Sequence, residues 1–139
     1  MIATYELLRR MYMGGNKLFF NGMLPNNISI YLHDSFKVPG RYDFTCNEYG
    51  VITSHCISIS RSFDWDREHL NDVMIHEMIH EYVYWFGLDD GKPHGNIFKD
   101  KMNEINERWS RHITINQDLS RMRPAKGTNP LKWWFAKTF

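Results

Sequence analysis

The sequence predicts a single α+β domain. Its 139 residues are typical of one domain, and a composition of 42% apolar and 24% charged residues is that of a globular chain rather than a disordered one. Three short segments with the alternating pattern of strands lie between a first helical segment and two later ones. The strongest helical segment, residues 66–86, also carries the residues that point to chemistry.

The first predicted helix covers residues 4–20, where apolar side chains recur near helical spacing. Gly14 and Gly15 fall in its middle, and each costs about 1 kcal/mol relative to alanine in a helix. We therefore expect the pair to mark a bend or a close packing contact. The spaced apolar residues are Leu7, Leu8, Met11, Leu18 and Phe19.

Three strands are predicted next, at residues 28–32, 40–46 and 51–60, because these segments alternate and are rich in β-branched or aromatic residues. A turn over residues 47–50 separates the last two. We expect the strand at 51–60 to present a free edge to which an extended substrate could add as a further strand.

The helix over residues 66–86 would be capped by Asp66 or Asp64 and ended by Gly87. Apolar residues cover most of its faces, so we expect it to be buried nearly all round.

Asn96 would cap a further helix that runs to about Trp109. Beyond it, Ile113 and Ile115 suggest a short strand, and residues 120–130 suggest a loop. The buried stripe of this helix would comprise Ile97, Met102, Ile105 and Trp109.

His76 to His80 has the form H-E-x-x-H within the strongest predicted helix. Because a helix turns about 100° per residue, His76 and His80 project side by side, one turn apart. The two imidazoles can hold one Zn²⁺, and Glu77 is placed to take a proton from the attacking water. The structural alternative is a pair of hydrogen-bonded core histidines. The apolar surroundings disfavour it, because buried ionisable groups are costly unless they are paired or metal-bound.

A catalytic zinc usually has three protein ligands and one open position. His94 follows His80 after a loop long enough to return to the site, directly before a predicted helix. Glu104, inside that helix, is the alternative third ligand. We favour His94, which gives a zinc site of His76, His80 and His94 with Glu77 as the catalytic residue.

Five segments, in this order, resemble the SprT-like family of zinc metalloproteases. The first two are residues 16–25, similar to the family's Asn-x-x-Phe-x-Gly-x-Leu-Pro stretch, and residues 39–42, similar to its Ala-Gly-Arg-aromatic element. Residues 57–60 resemble the strand before the active-site helix, and residues 76–80 match the active site itself. His94, Gly95 and Phe98 match the third-ligand motif, although Asn96 and Ile97 replace its common Pro and Glu.

The resemblance implies a small zincin-like metalloprotease domain, with helices packed on a three-stranded sheet and the H-E-x-x-H motif on the active-site helix. It also implies a zinc-dependent endopeptidase that acts on protein or peptide substrates, with His76, His80 and His94 as ligands and Glu77 as the base. Members of the family are linked to the repair of proteins crosslinked to DNA. Arg41 and Tyr42 are candidates for stabilising the oxyanion.

The net charge of +1 conceals an uneven distribution along the chain. Residues 1–107 carry a net charge of −5 and residues 108–139 a net charge of +6. We expect a protease domain over 1–119 and a basic, aromatic extension over 120–139. The extension suits single-stranded DNA, or its rings dock on the body as a latch. The cations and rings of the basic region 108–139 are Arg108, Arg111, Arg121, Arg123, Lys126, Lys132, Trp133, Trp134, Phe135 and Lys137.

Several classes of protein are disfavoured. No apolar run approaches the roughly 18 residues of a membrane span, and the first ten residues do not resemble a secretory signal. Cys46 and Cys56 are too few for a disulfide scaffold. We therefore expect a cytoplasmic protein with free thiols, a cross-strand disulfide being the alternative.

Two other functions remain open at this point. One is a general peptidase that does not depend on DNA. The other is a non-catalytic, zinc-stabilised module that binds nucleic acid or protein. Glu77 argues against the module, because a structural site needs no base and is usually closed by four ligands.

Overall fold

A computed structural model describes residues 1–116 and 122–125 and confirms the α+β class. A three-stranded sheet is packed against helices, and a pair of two-residue strands lies apart from it. The elements, in chain order, are α1 (Tyr5–Phe19), β1 (Ser29–His33), β2 (Gly40–Cys46), β3 (Ile52–Ser60), β4 (Phe63–Asp64), α2 (Arg67–Trp85), α3 (Asn96–Trp109) and β5 (Arg123–Pro124).

The order of strands in the main sheet is β1-β3-β2. β3 pairs with β1 in parallel and with β2 in antiparallel, and its Ile57 and Ile59 are fully buried. The expectation of a free edge on the strand at 51–60 is therefore wrong over residues 56–59, where β3 is paired on both sides; over residues 52–55 the described strands pair with β3 only through β2. Among the described residues, β2 is an edge strand, and it is the one that lies beside α2.

α2 is the centre of the core and contacts α1, α3 and the sheet. Asp66 caps it by accepting a hydrogen bond from the backbone N–H of His69, as predicted, and the helix ends before Gly87, whose φ is +67°. Burial on nearly every face is confirmed, since ten residues of this helix are buried. A metal-binding side chain on α2 would therefore be held in place by a helix that is packed on nearly every side.

α1 packs on α2 through one of its two central glycines. A β-carbon at Gly15 would lie 3.2 Å from the sulfur of Met78, whereas one at Gly14 would meet nothing within 4 Å. The prediction of a close packing contact is thus confirmed for Gly15.

The start and the buried face of α3 differ from the prediction. Gly95, not Asn96, is the N-cap, and the cap makes no side-chain hydrogen bond. Phe98 and Ile105 are the buried residues, whereas Ile97 and Trp109 are more than one-third exposed. The face of α3 that packs on α2 is therefore formed by Phe98 and Ile105, which lie two turns apart.

The segment after α3 lacks the predicted strand. Ile113 is buried in an irregular segment, held by Asn106, which accepts from its N–H and donates to its carbonyl, both at 2.9 Å. A strand forms later in the chain instead: β5 pairs with β4. β5 lies within the loop predicted over residues 120–130, and thus beyond residue 119, where the protease domain was predicted to end. Met122 and Ala125 beside it are buried.

Cys46 and Cys56 are free thiols, as expected. The sheet register places Cys56 opposite Asp43 and Cys46 opposite Ile52, so the two cysteines are not cross-strand partners. Within the described ranges, no helix has the length and apolar character needed to cross a membrane.

Candidate metal centre

Three histidine rings meet where α2 passes the start of α3. His76 and His80 lie one turn apart on α2 with ring centroids 5.0 Å apart, and His94 precedes the N-cap of α3. One nitrogen from each ring lies within 4.8 Å of the others, and the Nε2 atoms of His76 and His94 are 3.3 Å apart. Two tetrahedral ligands at 2.0–2.1 Å from a zinc would be separated by about the same distance. The cluster could therefore hold a metal ion.

The orientation of His76 is set by a backbone carbonyl. Its Nδ1 lies 2.8 Å from the oxygen of Thr114, which can only accept, so Nδ1 carries the proton and Nε2 presents its lone pair to the cluster. Phe98 packs against all three rings, with centroid distances of 4.6 to 5.0 Å. No motif in the sequence pointed to Thr114, because its role depends on where the segment after α3 returns.

The three rings are held in the neutral form. Burial lowers the pKa of His76 to about 4, and the neighbouring His94 adds to this, while the hydrogen bond to Thr114 opposes it. Burial and the two other histidines lower the pKa of His80 to about 3. The pKa of His94 is lowered by burial and by Lys99. Neutral imidazoles are the form that binds a metal, so the donor set fits a borderline cation such as zinc.

Glu77 is 3% exposed and lines the same cleft as the histidines. The start of β2 lies against it, because Gly40 has no side chain: a β-carbon there would be 2.9 Å from Val73 and 3.3 Å from Cγ of Glu77. The absence of a side chain at Gly40 thus brings the edge strand close to the carboxylate.

The cleft has a volume of about 510 Å³ and lies between α2 and β2. Arg41 and Tyr42, the candidates for oxyanion stabilisation, both line it, but each has another partner. The Arg41 guanidinium donates to Asp43 at 3.0 Å, and the Tyr42 hydroxyl lies 2.9 Å from Nδ1 of His55. The remaining lining residues include Lys37, Val38, Asp43, Tyr84, Pro93, Ile115 and Asn116.

Glu104, the alternative third ligand, lies outside the cluster. Its side chain is about half exposed on α3 and pairs with Lys101 at 3.4 Å. His69 also lies outside the cluster: it contacts the ring of Trp65, at 5.5 Å between centroids, beside a different pocket. The side chain of His55 is only 7% exposed and stacks on Trp85.

Glu81 is a buried carboxyl that motif analysis missed. It follows His80 on α2, is fully buried, and has both oxygens within 3.1 Å of the Tyr12 hydroxyl. Burial raises its pKa to about 8, while the hydrogen bond from Tyr12 opposes the shift. The sequence did carry a signal for the burial of Glu81, because a helix that is apolar on nearly every face has no exposed face on which a charged residue could lie.

Comparison with known protein families identifies a match over most of the chain. Residues 8–125 match the model of the SprT-like family, a range that runs from α1 to the residue after β5 and includes all three histidines and Glu77. No curated protein matches the sequence.

Proposed function

The chain belongs to the SprT-like family, and we propose that it is a zinc-dependent endopeptidase that hydrolyses peptide bonds in protein substrates. The observation that carries this proposal is the joint placement of three neutral histidine nitrogens and the buried Glu77 carboxyl on one cleft. Family membership and the histidine cluster both suggest a metallopeptidase.

Three nitrogen ligands are typical of catalytic zinc sites, which leave one position open, whereas structural sites usually have four ligands. His76, His80 and His94 would hold the ion. When bound, zinc lowers the pKa of a water molecule to about 7 and polarises the carbonyl of the substrate.

Glu77 supplies the proton transfers. Its carboxylate accepts a proton from the water that attacks the carbonyl carbon, so that a C–O bond forms. It then delivers that proton to the amide nitrogen as the C–N bond breaks and the amine leaves. Its place beside His76 in a largely buried helix limits the freedom of the carboxylate, which lowers the cost of positioning it for this shuttle.

β2 is suited to holding an extended substrate. It is an edge strand of the described sheet, and Gly40 to Asp43 line the cleft opposite α2. A peptide that pairs with this edge is bound mainly through its backbone and crosses the site in extended form. Such binding favours unfolded or flexible segments, because folded chains rarely offer a free extended segment.

The test is metal analysis together with a cleavage assay on an unfolded protein. We expect one zinc per chain and cleavage by the wild type, with cleavage reduced by about 10²-fold or more in Glu77→Gln while the zinc content is unchanged. Glu68→Gln, the same substitution at an exposed position of α2, should leave both unchanged. Full cleavage by zinc-loaded Glu77→Gln would overturn the proposal, and zinc binding without cleavage by the wild type would favour a non-catalytic binding module.

We also propose that the chain associates with single-stranded DNA through its basic C-terminal region, in keeping with the link between its family and DNA–protein crosslinks. The support is the net charge of +6 over residues 108–139. Arg111 is engaged within the domain, since it pairs with Asp72 at 2.6 Å. The remaining cations and rings would then make the contacts; Arg121, Lys126, Lys132, Trp133, Trp134, Phe135 and Lys137 lie outside the described residues.

The full-length chain should be used to test DNA binding, because residues 122–125 pack on the body. We expect the affinity for a labelled single-stranded oligonucleotide to fall with salt, and to be weaker in Lys132→Gln/Lys137→Gln than in the wild type. Lys17→Gln/Lys92→Gln removes the same charge from exposed positions elsewhere. Equal loss in both pairs would argue against a role for the extension, and equal cleavage with and without DNA would favour a general peptidase.

A further inference from the structure

We propose that three aromatic rings at one end of the cleft form a subsite for a large apolar side chain of the substrate, an inference that rests on the proposed peptidase function. Tyr42 and Tyr84 stack with an interplanar angle of 15° and centroids 6.3 Å apart. Phe44 contacts both, at 5.9 Å from Tyr42 and 4.7 Å from Tyr84. Tyr42, Phe44 and Tyr84 are called the aromatic subsite below.

The aromatic subsite lies on the same two elements as the metal centre. Tyr84 follows His80 by four residues, as His80 follows His76, so these three side chains share one face of α2, and Tyr84 lies about 6 Å further along the axis. Tyr42 and Phe44 occupy alternate positions of β2 on the face of Gly40. Tyr42 and Tyr84 both line the cleft that contains the histidines and Glu77.

β2 and α2 run side by side in the same direction. At the beginning of β2, Gly40 lies against Val73 and Glu77 of α2. Further along both elements, Phe44 of β2 contacts Tyr84 of α2. A peptide paired with the β2 edge would therefore pass Glu77 and the histidines at one end and the aromatic subsite at the other.

The spacing assigns the subsite to a single side chain of such a peptide. An extended chain advances about 3.3 Å per residue and alternates its side chains between two faces. The 6 Å between the levels of His80 and Tyr84 corresponds to about two residues. The subsite would thus receive a side chain about two residues from the bond that is cleaved.

The exposed ring surface of the aromatic subsite makes it suitable for binding an apolar side chain. Phe44 is 37% exposed, and Tyr42 and Tyr84 are partly exposed. The hydroxyl of Tyr42 is already bonded to His55, so its ring presents carbon to a ligand. Large apolar side chains are buried in folded proteins and accessible in unfolded ones, so this subsite would add to the preference of the cleft for unfolded segments.

Binding to an inactive protein provides the first test. Zinc-loaded Glu77→Gln would be titrated with labelled peptides in which a single phenylalanine moves one position at a time through a glycine–serine background. We expect the affinity to be about tenfold higher when phenylalanine occupies one position than when alanine does. Phe44→Ala and Tyr84→Ala in this background should each reduce that preference, and Tyr84→Phe should retain it.

The controls separate a lost subsite from a damaged fold. Tyr49→Ala removes an aromatic ring that is 81% exposed on the turn between β2 and β3, and it should leave the preference unchanged. Each variant is to be compared in zinc content and melting temperature; Phe44→Ala removes no metal ligand, so it should leave the zinc content unchanged. A preference for lysine or arginine in place of phenylalanine, no preferred position, or a preference that survives both alanine substitutions would overturn the subsite.

Cleavage by the active protein tests the same inference independently. Cut sites in an unfolded protein should lie at a constant distance from large apolar residues, and this pattern should weaken in Phe44→Ala. Cleavage without such a pattern would reject the subsite and leave the peptidase function standing. Selective binding by the Glu77→Gln protein without cleavage by the wild type would reject the peptidase function instead.

Discussion

The hydroxyl of Tyr12 lies 3.1 and 3.0 Å from the two carboxyl oxygens of Glu81, although the two residues belong to different helices. Both side chains are fully buried, and the same hydroxyl is 2.7 Å from the carbonyl of Pro25. His55 lies 3.7 Å from Glu81 on the other side. A polar cluster therefore joins α1 and β3 to α2 at the residue directly after a candidate metal ligand.

Tyr12→Phe should destabilise the protein by about 1–3 kcal/mol, because it leaves the buried Glu81 carboxyl without the hydroxyl as its partner. The loss would appear as a lower urea midpoint with an unchanged slope. Tyr5→Phe removes a hydroxyl from a residue of the same helix that is 54% exposed, and it should have little effect. Equal stability of the two variants would show that the Tyr12–Glu81 contact contributes nothing.

The stability of the metal-free protein should fall as the pH rises from about 7.5 to about 8.5. Burial raises the pKa of Glu81 from 4.5 to about 8, so between these two values the folded chain keeps a proton that the unfolded chain has lost, and this stabilisation is lost as the pH passes the folded pKa. The histidines whose pKa is lowered from 6.5 act in the opposite sense up to about pH 7.5, above which they are largely neutral in both states. They are His33, His55, His76, His80 and His94.

Urea unfolding at several pH values in the presence of a chelator measures this effect. Glu81→Gln should remove the decline between about pH 7.5 and 8.5, whereas Glu68→Gln, at an exposed position, should preserve it. A decline of the same size in Glu81→Gln would assign it to other groups.

The two glycines of α1 should respond in opposite directions to substitution by alanine. Gly14→Ala fills open space and should stabilise the protein by about 1 kcal/mol, through helix propensity. Gly15→Ala places a β-carbon 3.2 Å from the sulfur of the fully buried Met78 and should give a net loss of about 1 kcal/mol. Thermal unfolding of the two variants would check this, and a gain in both would show that Met78 moves without cost.

Local patterns predicted the elements of this fold because each depends on its own sequence. The periodicity around His76 and the cap at Asp66 placed α2 to within a residue at each end. Alternation likewise located the three strands of the main sheet, and the motif spacing selected the three histidines that the fold brings together.

Features that depend on distant segments could not be predicted in this way. The central position of β3 is decided by which strands pair with it, and alternation carries no information about partners. The β4–β5 pair joins residues about 60 positions apart. Thr114 and Glu81 acquire their roles from His76 and Tyr12, which lie far from them in sequence.

The third metal ligand can be tested by comparing His94 with its alternative. His94→Ala should lower the zinc content and abolish the rise in melting temperature that zinc gives, because binding to the folded state stabilises it. Glu104→Ala should change neither, since the Glu104 side chain is about half exposed and pairs with Lys101 rather than with the histidines. His112→Ala serves as a control for the loss of an exposed histidine. A fall in zinc content in Glu104→Ala but not in His94→Ala would reverse the assignment.

Asn106 should affect metal affinity without touching the metal centre. Its side-chain amide makes two hydrogen bonds of 2.9 Å to the backbone of Ile113, and the next residue, Thr114, provides the carbonyl that orients His76. Loss of a partner that orients a ligand typically lowers metal affinity by about 10–100-fold. We therefore expect Asn106→Ala to weaken zinc binding in a chelator competition, while Asn103→Ala, on the exposed face of the same helix, leaves it unchanged. If Asn106→Ala lowered stability but kept the full affinity for zinc, the Thr114 carbonyl would be positioned by other contacts.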